Sequence, residues 1–97
     1  MAIKTKVEVQ GADPPSEDVV VSVIRCVEGE MTVGEVFNVA TLAGGGESEV
    51  SLRVTRIWRY GRLVDLVDPP HSARVELMGC GVGSVSGFSH LIASREE

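Results

Sequence analysis

Along this chain apolar and polar residues alternate over short segments, and each segment ends at a cluster of Gly, Pro, Asp or Ser. Residues 3–9 set Ile3, Thr5, Val7 and Val9 on one face and Lys4, Lys6 and Glu8 on the other, the period of a half-buried strand. Residues 19–27 form a nearly continuous β-branched run and predict a central strand, because such side chains fit a pleated surface. Residues 35–41 predict the next strand, with Val36 and Phe37 on opposite faces and Val39 on the side of Phe37. Residues 49–60 are the longest strand candidate, 63–67 another, and 73–78 alternate Ala73, Val75 and Leu77 against Arg74, Glu76 and Met78. A last short strand is predicted over 89–93, followed by a frayed tail at 94–97. Nowhere do apolar residues recur at i, i+3, i+4 and i+7 over a helical length. The chain therefore reads as all-β, a small closed or partly open antiparallel β-barrel of about six or seven strands.

The punctuation is equally legible. Residues 10–18, QGADPPSED, hold two prolines and three acids and are expected to be a loop, one able to shield a sheet edge. Residues 28–30 are read as a turn that sends the strand before them back on itself. The triple glycine 44–46 reads as a mobile loop, and Gly61 with Arg62 as a turn. Pro69 and Pro70 end the element before them, since proline donates no ladder hydrogen bond. Residues 79–87 are a glycine-spaced connection that resembles a dinucleotide loop only superficially, because no helix is expected after it to receive a pyrophosphate.

At 97 residues the chain makes one domain, 1–97, in which 1–18 are a leading strand and acidic loop, 19–93 the barrel and 94–97 the tail. The net charge of −5 offers no general attraction to a polyanion. Cys26 and Cys80 match neither a disulfide scaffold nor a zinc ribbon and read as free thiols in strands. Residues 1–10 lack the apolar centre of a signal peptide, and no apolar run reaches the roughly 20 residues of a membrane span. A soluble cytoplasmic protein without membrane contact is the expectation.

Residues 25–35, RCVEGEMTVGE, carry Gly29 in a turn and Gly34 after Met31 and Val33. The segment resembles the opening hairpin of the β-barrel that follows the GTPase domain in elongation factor Tu and its relatives, written roughly RVxxGxIxVGD. The strand SLRVTRIW, the stretch ARVELMG at 73–79 and GFSHLI at 87–92 are similar to later parts of that domain, so the likeness covers about 19–93. Ile24 and Ala73 stand where the family has glycine, and the double proline has no place in its pattern. What the resemblance implies is a domain-2-like barrel standing without its GTPase domain, a non-catalytic binding module with a possible translation role. In the family this domain contacts its GTPase neighbour, the acceptor end of aminoacyl-tRNA or the ribosome. With no GxxxxGK[ST] in the chain, no GTP binding is expected.

The candidate site is residues 53–62, RVTRIWRYGR, which hold four of the nine basic residues beside Trp58 and Tyr60. Arg53, Arg56, Trp58, Arg59, Tyr60 and Arg62 are the candidate binding residues, the rings as anchors and the arginines as specificity groups. On an uninterrupted strand Arg53, Thr55, Ile57 and Arg59 share one face, and Val54, Arg56, Trp58 and Tyr60 the other. The competing reading is a solvated strand whose arginines pair with neighbouring acids. His71 and His90 lack metal-ligand spacing, and the carboxylate pairs Asp65/Asp68 and Glu28/Glu30 fall at turns, so neither an enzyme nor a metal or other cofactor is expected. The partner is an unidentified macromolecule, protein ahead of RNA. The alternative function is a stand-alone protein-interaction partner of regulatory or immunity type with no nucleic-acid role, and a Val-rich sheet edge leaves a homodimer open.

Overall fold

The computed structural model describes residues 2–96. Among the described residues there are nine strands: β1 (Ala2–Ala12), β2 (Val19–Glu28), β3 (Met31–Thr32), β4 (Val36–Leu42), β5 (Glu47–Arg59), β6 (Arg62–Val64), β7 (Leu66–Val67), β8 (Ser72–Cys80) and β9 (Phe88–Glu96). Six of them close into an antiparallel ring in the order β4, β9, β1, β2, β8, β5 and back to β4, as an all-β barrel. β6 hangs outside the ring on β5, and β3 pairs with β7 in a separate two-stranded ribbon. Ring closure satisfies both edges of each barrel strand.

In β8 the inward positions follow the alternation read from the sequence, whereas in β5 a bulge interrupts it. Val20, Ile24 and Cys26 of β2, Leu52, Val54 and Ile57 of β5, and Ala73, Val75 and Leu77 of β8 are all buried. Phe37 and Phe88 are the buried rings, so the interior is filled mainly by aliphatic side chains. Met31 and Val67 of the ribbon join the core where β2 ends. Val82 and Val85 of a short 3-10 helix (Val82–Gly87) join it beyond the far end of β8. Antiparallel pairing of β2 with β8 puts these two stoppers at opposite ends of the barrel.

Several boundaries differ from expectation, each for a local reason. β1 continues through Gln10, Gly11 and Ala12, where a loop was expected, because a bulge between Val9 and Gly11 absorbs the irregularity. The buried Ser22 hydroxyl then donates to the Gly11 carbonyl at 2.6 Å. The turn at 28–30 does not fold β2 against β4. Both edges of β2 are already taken by β1 and β8, so the chain crosses to form β3 beside β7. Residues 63–67 divide into β6 and β7, which pair with different partners. A bulge between Phe37 and Val39 passes the inward place to Ala40 and leaves Val39 half-buried. The connection 79–87 contains the 3-10 helix, and the expected fray at 94–96 is instead part of β9, paired with β1. The tail residue Glu97 and the side chain of Ile3, read as facing inward, lie outside the described residues.

Two glycines of the barrel depend on having no side chain. Gly34 sits at φ +96° while its N–H donates to Val54 O at 2.8 Å, and Glu35 O accepts from Val54 N at 2.9 Å. Gly79 combines φ +130° with close approach to the Ser51 carbonyl across the β5–β8 ladder, where a Cβ would collide with backbone. Both positions therefore resist substitution. Gly34→Val and Gly79→Ala are each expected to cost more than about 1 kcal/mol and to lower the thermal midpoint by at least about 5 °C. Gly83→Ala, where a Cβ meets open space, is the control expected to melt within about 4 °C of wild type.

Candidate functional site

The arrangement of the arginines turns on one extra residue in β5. Against β8 the register runs Arg53↔Met78 and Val54↔Leu77, then slips so that Arg56 faces Glu76 and Trp58 faces Arg74. Thr55 is the bulged residue, and its hydroxyl lies 2.8 Å from Glu76 Oε1 and 3.1 Å from Glu76 O. Past the bulge the two-residue alternation resumes with its phase reversed. Arg53, Arg56 and Trp58 thus share the outer face, while Val54 and Ile57 both point inward. This corrects the grouping of Arg53 with Ile57, and of Arg56 with Val54, that an uninterrupted strand implies.

Three rows then cross the outside of β2, β8 and β5: Val19, Met78, Arg53; Val21, Glu76, Arg56; and Val23, Arg74, Trp58. Leu63 of β6 extends the last row beyond Trp58 and is 66 % exposed. Arg56 Nε lies 3.9 Å from Glu76 Oε1, and Arg74 Nη1 lies 3.9 Å from Asp13 Oδ2. These are surface contacts, each worth at most about 1 kcal/mol.

β5 and β6 are joined by a two-residue turn, Tyr60 and Gly61, both at positive φ, 55° and 76°. Left-handed conformations at both central positions suit the right-handed twist of a tight hairpin. The turn leaves Tyr60 93 % exposed with the Arg59 guanidinium carbon 5.2 Å from its ring centroid. It also sets Arg59 directly opposite Arg62.

Beside this turn lies an open groove of about 870 Å³. Its lining includes Trp58, Arg59 and Tyr60 from the β5–β6 hairpin, Val23 from β2, Arg74 from β8 and Pro70 from the loop before β8. The proline loop that carries Pro70 is tied to β2, with Arg25 Nε donating to Pro70 O at 3.2 Å and Cys26 N to His71 O at 2.9 Å. Of the candidate residues the fold brings Trp58, Arg59 and Tyr60 into the groove, while Arg53, Arg56 and Arg62 lie outside its lining. Val21, Val23, Pro70 and His71 join from segments distant in sequence, and only Arg74 had a sequence signal, its place on the polar phase of β8.

A smaller cavity of about 280 Å³ has Glu8, Cys26 and His90 in its lining. Burial pushes the Cys26 thiol above its usual pKa, and the thiol donates to Gly29 O at 3.2 Å. That keeps it protonated and spent within its own turn. His71 pairs with Asp68 at 3.1 Å on the proline loop, with both groups about half exposed. Among the described residues no group of three or more His, Cys, Asp or Glu could hold a metal ion, and no helix is long and apolar enough to cross a membrane.

No protein-family model matches the chain, and no curated protein matches it. Fold and site together define a closed six-strand antiparallel β-barrel with a groove lined by Trp58, Tyr60, Arg59 and Arg74. The two cysteines are free, Cys26 buried and Cys80 exposed. A disulfide-exchange reagent near pH 8 is expected to modify about one thiol per native chain rapidly, and both on unfolding in denaturant. Rapid modification of Cys26 in the native protein would contradict its position in the core.

Proposed function

We propose that this barrel is a non-catalytic binding module whose contact surface is the outer wall of β2, β8 and β5. One observation carries the reading. Trp58 and Tyr60, the two rings left out of the core, stand with Arg59 along one open groove, although large aromatics are the residues a small barrel would most profit from burying. The groove also falls within the volume range of ligand-binding clefts.

The finer reading places the chain beside domain 2 of the translational GTPases. It rests on the segment RCVEGEMTVGE, whose Gly29 and Gly34 adopt φ +71° and +96°, where glycine in the motif has a physical reason. The closed six-strand antiparallel ring is compatible with it. A second reading, a protein-interaction partner without a nucleic-acid role, is favoured by the net charge of −5, which weakens long-range attraction to any polyanion.

Affinity capture from native lysate, run with and without nuclease, separates the two. A protein partner is retained after nuclease treatment, whereas an RNA-dependent one is lost. Arg56→Glu combined with Arg59→Glu is expected to abolish capture of that partner while shifting the thermal midpoint by no more than about 4 °C. Unchanged capture by the double variant removes this wall from consideration.

A further inference from the structure

Arg25, Arg53, Arg56, Arg59, Arg62 and Arg74 all lie on β2, β5, β6 and β8, so six of the chain's nine basic residues are gathered on four adjoining strands, with Arg59 and Arg62 at the hairpin end. In the three rows that cross that wall, Glu76 is the sole acid. The chain as a whole carries the opposite sign, −5. Arg59 and Arg62 face each other across a two-residue turn, and among the described residues neither has a carboxylate within 4 Å. Like charges directly opposite on paired strands are destabilising, and an anion shared between them relieves the repulsion.

Resting on the reading of this wall as the contact surface, we infer that its partner is an extended acidic segment of another protein, with a proline, aromatic or aliphatic anchor seated against Trp58. The charge pattern supplies the sign, since guanidinium groups pair with carboxylates in planar two-point fashion. Carboxylates of the chain itself already approach this wall by single contacts, Asp13 to Arg74 and Glu76 to Arg56, each at 3.9 Å. The apolar pattern supplies the anchor. Val23, Trp58 and Leu63 lie in one row with Arg74 across four adjacent strands, a span of about 14 Å that matches about four extended residues. Valine and leucine offer no stacking platform for bases, and a chain of net charge −5 repels a long polyanion while a short acidic segment meets only the local arginines.

Trp58 is the sole tryptophan, so its fluorescence reports on the groove directly. Random peptides of about nine residues, long enough to cross the row, are panned on the full chain and counter-selected on the Arg59→Glu/Arg74→Glu variant. Selected sequences are expected to be enriched at least about twofold in Asp and Glu, around a proline, aromatic or aliphatic residue. A synthesised selected peptide is then expected to shift Trp58 emission, to bind at least about tenfold more weakly to that variant and to weaken as salt is raised. Circular dichroism and melting of the variant, matched to wild type, exclude unfolding as the cause. An uncharged or basic consensus, no sequence surviving counter-selection, or oligouridylate shifting Trp58 emission at lower concentration than the selected peptide would each overturn the inference. If the captured partner is lost with Arg56→Glu/Arg59→Glu while panning shows no acidic bias, the acidic class falls and the binding wall stands. If capture is unaffected by that double variant, the wall itself falls.

Discussion

Closure of the barrel depends on the hydrogen bonding of β5. Its first half pairs with β4, its middle and second half with β8, and its last three residues with β6. A strand that serves three neighbours has to be long, and at 13 residues it is the longest in the molecule. It also has to bend, because a flat strand of this length cannot follow a small barrel's curvature. The bend is the bulge at Thr55, whose hydroxyl takes up the Glu76 carboxylate and carbonyl. Core and surface are thereby linked. The same extra residue that lets Val54 and Ile57 both face inward brings Arg56 and Trp58 out beside Arg53.

The remaining polar elements of the interior are resolved in a similar way. Thr5 and Glu35 are buried, and the Thr5 hydroxyl lies 3.0 Å from Glu35 Oε1 and 3.3 Å from Glu30 O, tying β1 to the segment entering β4. No buried side-chain nitrogen or oxygen among the described residues lacks a hydrogen-bond partner. A small barrel tolerates few unpaired polar groups, since each costs about 1–3 kcal/mol. The ends need closing as well, and the ribbon of β3 and β7 and the 3-10 helix do so with two buried apolar side chains each. With the interior thus satisfied, the outer wall of β2, β8 and β5 is free to carry its arginines and rings.

Much of the interior was legible in advance because strand alternation is a local property. Ala73, Val75 and Leu77 point inward as their spacing indicates, and so does Val7. The candidate site was legible only in part. Trp58, Arg59 and Tyr60 do stand together at the groove, but Arg53, Arg56 and Arg62 lie outside its lining. The phase of Arg56 and Trp58 was misassigned because a bulge is set by pairing with β8, and nothing in RVTRIWRYGR marks Thr55 as the extra residue. Gly11 misled in the opposite sense: glycine beside prolines reads as a loop, yet the strand runs on to Ala12.

Period-two hydrophobicity, β-branched content and turn residues were enough to determine from the sequence that this chain is built of short antiparallel strands around one valine-rich core. They act between residues a few positions apart, so they survive without knowledge of neighbours. Which strands adjoin, and so which side chains share the outer wall, was decided only in the tertiary structure. Arg74, Val23 and Pro70 meet Trp58 because β8 inserts between β2 and β5 and the proline loop is tied back to β2. Such adjacency is a property of closing the ring, whose hydrogen bonds join residues tens of positions apart and leave no periodic trace in the order of amino acids.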